Sequence, residues 1–127
     1  MKGLPTALAE ATITSVHFEE ASYAQGATGT VIVVYNELVD VTNGATLTVT
    51  ASGTSNPTAT AAAQTGTNRV EFTFTVPSAT TNLSIAAQTI SGTIKDAGTN
   101  TASDKAFVAG DVIGAGGSGT TKTIAVA

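Results

Sequence analysis

Polar and apolar residues alternate with a period of two through most of this chain, the signature of strands buried on one face. "RVEFTFTV" (69–76) shows it most clearly. Val70, Phe72, Phe74 and Val76 fall on one side, and Arg69, Glu71, Thr73 and Thr75 on the other, with Pro77 as a stop. "ATLTVTASG" (45–53) repeats the pattern, placing Leu47, Val49 and Ala51 inward and Thr46, Thr48 and Thr50 outward. In "TATAAAQ" (58–64) small Ala59, Ala61 and Ala63 take the inward positions, which predicts close approach of two layers. "TVIVVYNELV" (30–39) is apolar on both faces, so it predicts a central strand whose outer side is partly covered. In "ATITSVHFE" (11–19), Val16 and Phe18 face one way and Ser15 and His17 the other.

Turn residues punctuate these runs. Asn43-Gly44 predicts a type I′ hairpin, which needs positive φ at both central residues. Gly53 to Pro57 and "TGTN" (65–68) predict further turns. "NLSIAAQ", "ISGTIKD" and "TTKTIAVA" read as short strands, "KAFVAGDVI" as strand or loop, and "GAGGSG" (114–119) as a hinge by composition. No window sustains a helical period. About seven to nine short strands with turns every 8–12 residues predict an all-β sandwich of antiparallel strands over residues 12–127. Residues 1–11 stand outside the pattern and are expected to form an N-terminal arm.

Composition narrows the function. The 127 residues suffice for one domain with a modest core. A net charge of −4 and five scattered basic residues (Lys2, Arg69, Lys95, Lys105, Lys122) argue against nucleic acid as a partner. With no cysteine, disulfides and thiol chemistry are absent. No run approaches the ~18 apolar residues of a membrane span, and Pro5 and Glu10 interrupt what would be a leader's apolar core. Charged residues make up 11%, under half the usual ~25%, so much of the surface is expected to face other protein.

Candidate chemistry is sparse. His17, the sole histidine, has no orienting carboxylate and nucleophile legible around it, and reads as a solvent or interface residue. Glu19 and Glu20 are adjacent on a strand and point oppositely, so they cannot flank one bond. Asp96, Asn100 and Asp104 could offer oxygens to calcium, but such a site needs six to eight, and "KDAGTN" reads better as an Asp-x-Gly turn. "GAGGSG" lacks the Gly-Lys-Ser/Thr and following helix of a phosphate loop. The threonine ladders match either an ordered water or sugar lattice or plain exposed strand. No catalytic residue, cofactor or metal is expected: the chain reads as a non-enzyme.

"VVYNELVDVTNGATLTVTASG" (33–53), "TGTNRVEFTFTV" (65–76) and "NLSIAAQTISGTIKDAGTN" (82–100) resemble the bacterial immunoglobulin-like repeats of large adhesins and surface proteins. The resemblance runs from about Gly29 to Asn100, implies that the sandwich is immunoglobulin-like, and bears on fold more than activity. Those repeats occur in tandem, whereas this chain holds one copy opening with Met1. That arrangement resembles the decoration, or cement, proteins of tailed-phage capsids. It implies a virion protein, made in the host cytoplasm without a signal peptide, that binds the major capsid protein, copies of itself, or both on the capsid's outer surface. No membrane partner is implied. The alternative is a cell-surface or tail-associated binding module for a glycan or receptor, for which two tyrosines and no tryptophan are a poor endowment. In the capsid reading Leu4, Pro5 and Leu8 of the arm, with Ala7, Ala9 and Ala11, are the expected contacts with the capsid or an adjacent subunit.

Overall fold

The computed structural model describes residues 10–117 and 120–127. The expected arm contacts Leu4, Pro5 and Leu8 lie outside the described residues. In chain order the strands are β1 (Ile13–Phe18), β2 (Ser22–Tyr23), β3 (Thr28–Val41), β4 (Ala45–Thr48), β5 (Thr50–Ala51) and β6 (Thr58–Ala61). They continue as β7 (Gln64–Thr75), β8 (Asn82–Ser84), β9 (Gln88–Thr89), β10 (Ile94–Asp96), β11 (Ala106–Phe107) and β12 (Ile124–Val126). Short 3₁₀ turns at Ala109–Asp111 and Ala115–Gly117 are the helical elements among the described residues.

The larger sheet runs β1-β3-β7-β6-β4, with β10 also on β3; β2-β12-β8-β5 forms a second sheet and β11-β9 a small third. Pairing is antiparallel throughout, apart from β12 beside β2. One apolar cluster joins the two main sheets. Val16, Phe18, Val33, Leu47, Val70, Phe72 and Phe74 come from the first, and Tyr23, Leu83, Ile124 and Val126 from the second. The fold is an all-β sandwich.

The period-two prediction for "RVEFTFTV" holds along its length: Val70 and Phe72 are fully buried, Phe74 is 5% exposed, and Thr73 faces out. Val33, Leu47, Val49 and Ile85 are buried with them. Phe74 lies across from Gly29 in the ladder, and a Cβ on Gly29 would collide with its ring. The absent side chain is what admits Phe74 to an edge-on cluster with Phe18 and Tyr23, at centroid distances of 6.3–6.5 Å. Ala59 and Ala61 are fully buried, as expected of closely approaching layers, whereas Ala63 is exposed in the β6–β7 turn.

Two predicted turns differ from what forms. Asn43-Gly44 does turn the chain, but Gly44 alone has positive φ (102°), and β3 and β4 do not pair. The flank of β3 at Val39–Val41 is taken by β10, while β4 pairs with β6, Leu47 opposite Ala59. The turn is thus a corner within the sheet, not a I′ hairpin. "TGTN" lies inside β7: Gly66, at φ 61°, and the register shifts opposite Val34–Val41 absorb the irregularity as a bulge. At the amino end, Ala11 is fully buried, and its carbonyl accepts a 2.9 Å hydrogen bond from the Asp104 amide.

Candidate functional site: a threonine face, a covered histidine and a carboxyl pair

The outward residues of four neighbouring strands fall into register. Thr46 pairs with Thr60, Thr60 with Thr73, and Thr73 with Thr30, making a row of threonines across β4, β6, β7 and β3. Two residues along each strand a second row follows, with Thr48 opposite Thr58 and Thr75 opposite Thr28. Strand spacing sets the backbone positions of these threonines ~4.8 Å apart along a row and roughly 6.6 Å between rows. Six of the eight are exposed; Thr30 and Thr46 are partly covered, and Thr46 Oγ1 hydrogen-bonds Ser91 Oγ. No charged residue falls within the array. Arg69 and Glu71 stand at its border, where Thr60, Gln64, Thr67 and Thr73 help line a shallow concavity of about 450 Å³.

Further along the outer face of β3 the character changes. Ile32 is only 2% exposed, and His17, its cross-strand partner on β1, only 1%. The chain after β11 provides the cover. Val112 bridges to Val16, the Ile113 amide donates to the Val16 carbonyl at 2.9 Å, and a Cβ on Gly117 would stand 3.5 Å from His17 Nε2. Gly117, at φ 86°, can bring bare backbone this close. His17 is therefore not the solvent residue that strand alternation predicts. Neither ring nitrogen has a hydrogen-bond partner. Burial pushes its pKa below the ordinary 6.5; Arg69 pushes the same way and Glu19 opposes. The sequence signal was the two-faced apolar run of β3, since whatever covers Ile32 also covers its neighbour His17.

The third feature lies where β3 exchanges one partner for another. Its first half pairs with β1 through Tyr35 and its second with β10 from Val39, and the ladder to β7 shifts register between Val34 and Val39. Asn36 anchors this irregular stretch, its Oδ1 accepting from the Thr12 amide at 2.9 Å. Glu37 comes within hydrogen-bonding reach of Asp96, the register partner of Val39. Asp96 forms the turn expected of "KDAGTN": its Oδ1 accepts from the amides of Gly98 and Thr99, both at 2.8 Å, and Asn100 closes the loop at φ 59°. Those donors hold the Asp96 pKa low, while burial and the charge of Asp96 raise that of Glu37. Asp104, the other acid considered for calcium, does not join them. Its carbonyl accepts from the Tyr35 hydroxyl at 2.8 Å and its Oδ1 from the Ala106 amide. Glu37 escaped the sequence reading because it lies far from Asp96 along the chain and only the β3–β10 ladder unites them.

Glu19 and Glu20 are exposed. Among the described residues no three His, Cys, Asp or Glu side chains converge as metal ligands, and no helix is long and apolar enough to cross a membrane. All six aromatic residues are buried: Phe18, Tyr23, Tyr35, Phe72, Phe74 and Phe107. Comparison of the chain with protein-family models, curated proteins and solved structures found no match.

Proposed function

We propose that the protein is a non-enzymatic structural component of a phage virion, a decoration or cement protein that packs on the outside of an assembled capsid and is akin to the bacterial immunoglobulin-like repeats. The observation that carries this reading is the uncharged threonine face, in register across four strands. Charged side chains are depleted at the centres of protein interfaces, because burying an ion costs far more than burying a hydroxyl that can rebond. A broad face free of charge is thus suited to close contact with another protein surface. Many weak contacts repeated over a lattice would then sum by avidity, with no need for a deep pocket. The arm bearing Leu4, Pro5 and Leu8 adds a second contact in this proposal. The glycan-binding alternative fits less well, because sugar rings stack on exposed aromatic faces and all six aromatics here are in the core.

The test is co-sedimentation with purified capsids lacking the protein. The double variant Thr60→Lys/Thr73→Lys should keep the wild-type circular dichroism and melting midpoint yet bind capsids at least about tenfold more weakly, since two unpaired charges would have to be desolvated. Undiminished binding by this variant would remove the threonine face from the interface. Failure of the wild type to bind any such capsid would overturn the capsid reading itself.

A further inference from the structure

The cover over His17 is made of backbone. The imidazole lies in the cross-strand row His17–Ile32–Glu71 on the outer side of the larger sheet, yet it is 1% exposed. The 3₁₀ turn Ala115–Gly117 crosses above the ring, where a Cβ on Gly117 would stand 3.5 Å from Nε2 and one on Gly116 3.8 Å from the Glu19 carbonyl oxygen. Gly116 and Gly117 are themselves exposed, so the cover is one layer thick with water on its far side. Little holds it down: Ala115 is half-buried, and its amide donates to the Thr121 carbonyl at 2.8 Å. The chain just before it is fastened more firmly. Val112 belongs to the core cluster, and the Ile113 amide donates to the Val16 carbonyl. Among the described residues no group hydrogen-bonds either ring nitrogen of His17. Burying a neutral imidazole without partners is costly, and burying an imidazolium that way is far costlier.

We propose that the Ala115–Gly117 turn is an acid-released latch: protonation of His17 detaches it from the sheet while Val112 and Ile113 stay docked. On release the cation gains water, and the turn gives up only one alanine's contact and one hydrogen bond. Gly116 and Gly117, at φ 75° and 86°, have the backbone freedom to swing away. The charged groups around the ring leave the closed state without a remedy. On β1, Glu19 shares its face and favours the imidazolium; on β7, Arg69 opposes it and Glu71 ends its row. β3 brings no charge between Val31 and Tyr35. The connection from Val108 to Thr123 carries Asp111 and Lys122, and Asp111 Oδ2 already accepts from the Val108 amide at 3.0 Å. None of them accepts a hydrogen bond from the ring. Opening takes up one proton, so the closed population falls by up to about tenfold per pH unit below about 6.5. Released, His17 extends the open side of the sheet from the threonine rows toward β1. This device does not depend on the capsid proposal.

The experiment is amide hydrogen exchange of the full chain from pH 7.5 to 5, read residue by residue by nuclear magnetic resonance and corrected for the intrinsic rate at each pH. Protection of the Ala115 amide should fall at least about tenfold below pH 6.5, in step with titration of the His17 ring. The amides of Ile113 and Phe72 should keep their protection over the same range. His17→Leu, which has no imidazole to protonate, should hold Ala115 protected throughout. The proposal fails if Ala115 of the unmodified chain is unprotected at pH 7.5, or if its protection does not change with pH. It fails equally if Ile113 and Phe72 lose protection together with Ala115, which is global unfolding, or if His17→Leu loses it as the unmodified chain does. The first three outcomes need no variant to fold.

Discussion

The outer face of the larger sheet has two halves that differ sharply, although they share strand β3. At Thr28 and Thr30 the face is open, and the neighbouring strands contribute threonine after threonine. At Ile32, two residues on, the same face is buried beside His17 under the chain that follows β11. The open half has its polar groups where water satisfies them. In the covered half, His17 has been buried with both ring nitrogens lacking partners. Alternation of residue types accounts for the first half. The second exists because distant segments of chain pack onto β3, and it is there that buried polar groups accumulate unmet needs.

The largest effect should come from the inner side, which both halves share. Phe72 is fully buried beneath the threonine rows, so Phe72→Ala should cost about 3–5 kcal/mol in urea unfolding, much of a small domain's stability. A cost below about 1 kcal/mol would mean that the sandwich core does not lie where Phe72 points.

A smaller, pH-dependent effect should single out the covered half. The pKa of His17 is lower folded than unfolded, so the unfolded chain binds more protons once pH falls below about 6.5. The sign follows directly: stability is fully present above that pH and declines as pH falls toward the folded pKa. Melting midpoints measured from pH 7.5 to 5 should therefore fall for the unmodified protein. For His17→Leu, which has no imidazole to protonate, they should stay nearly level over this range, above where most carboxylates titrate. Parallel curves for the two proteins would show that His17 reaches solvent despite its cover.

The smallest effect belongs to the open half. Thr73→Val exchanges a hydroxyl for a methyl on an exposed strand position and should change stability by no more than about 0.5 kcal/mol. A loss of 1 kcal/mol or more would show that the threonine hydroxyls bond one another across the rows, making the face a structural network in its own right.

Much of this architecture was legible in single strands. Phe72, Phe74 and Thr73 followed the alternation because a one-residue slip would have turned every phenylalanine of β7 into solvent. The Asp-x-Gly turn at Asp96 was equally legible, since a short carboxylate accepting amides two and three residues ahead is a local interaction. Asn43-Gly44 was only half legible: the local signal bends the chain, but which strand β4 then pairs with depends on β6 and β10, elements far along the chain. "TGTN" misled for a related reason, as a glycine at positive φ serves a bulge as well as it serves a turn.

The amino-acid order by itself determined the class of fold, the inward set of apolar residues and the absence of charge from the threonine strands, because each depends on residue type at a spacing of two. Only the tertiary structure decided that those strands would align threonine with threonine, that His17 would be roofed by a glycine turn, and that Glu37 would meet Asp96. Strand order and register are set by the sum of packing over the whole sandwich. No short stretch of chain contains the information about which distant segment will lie beside it.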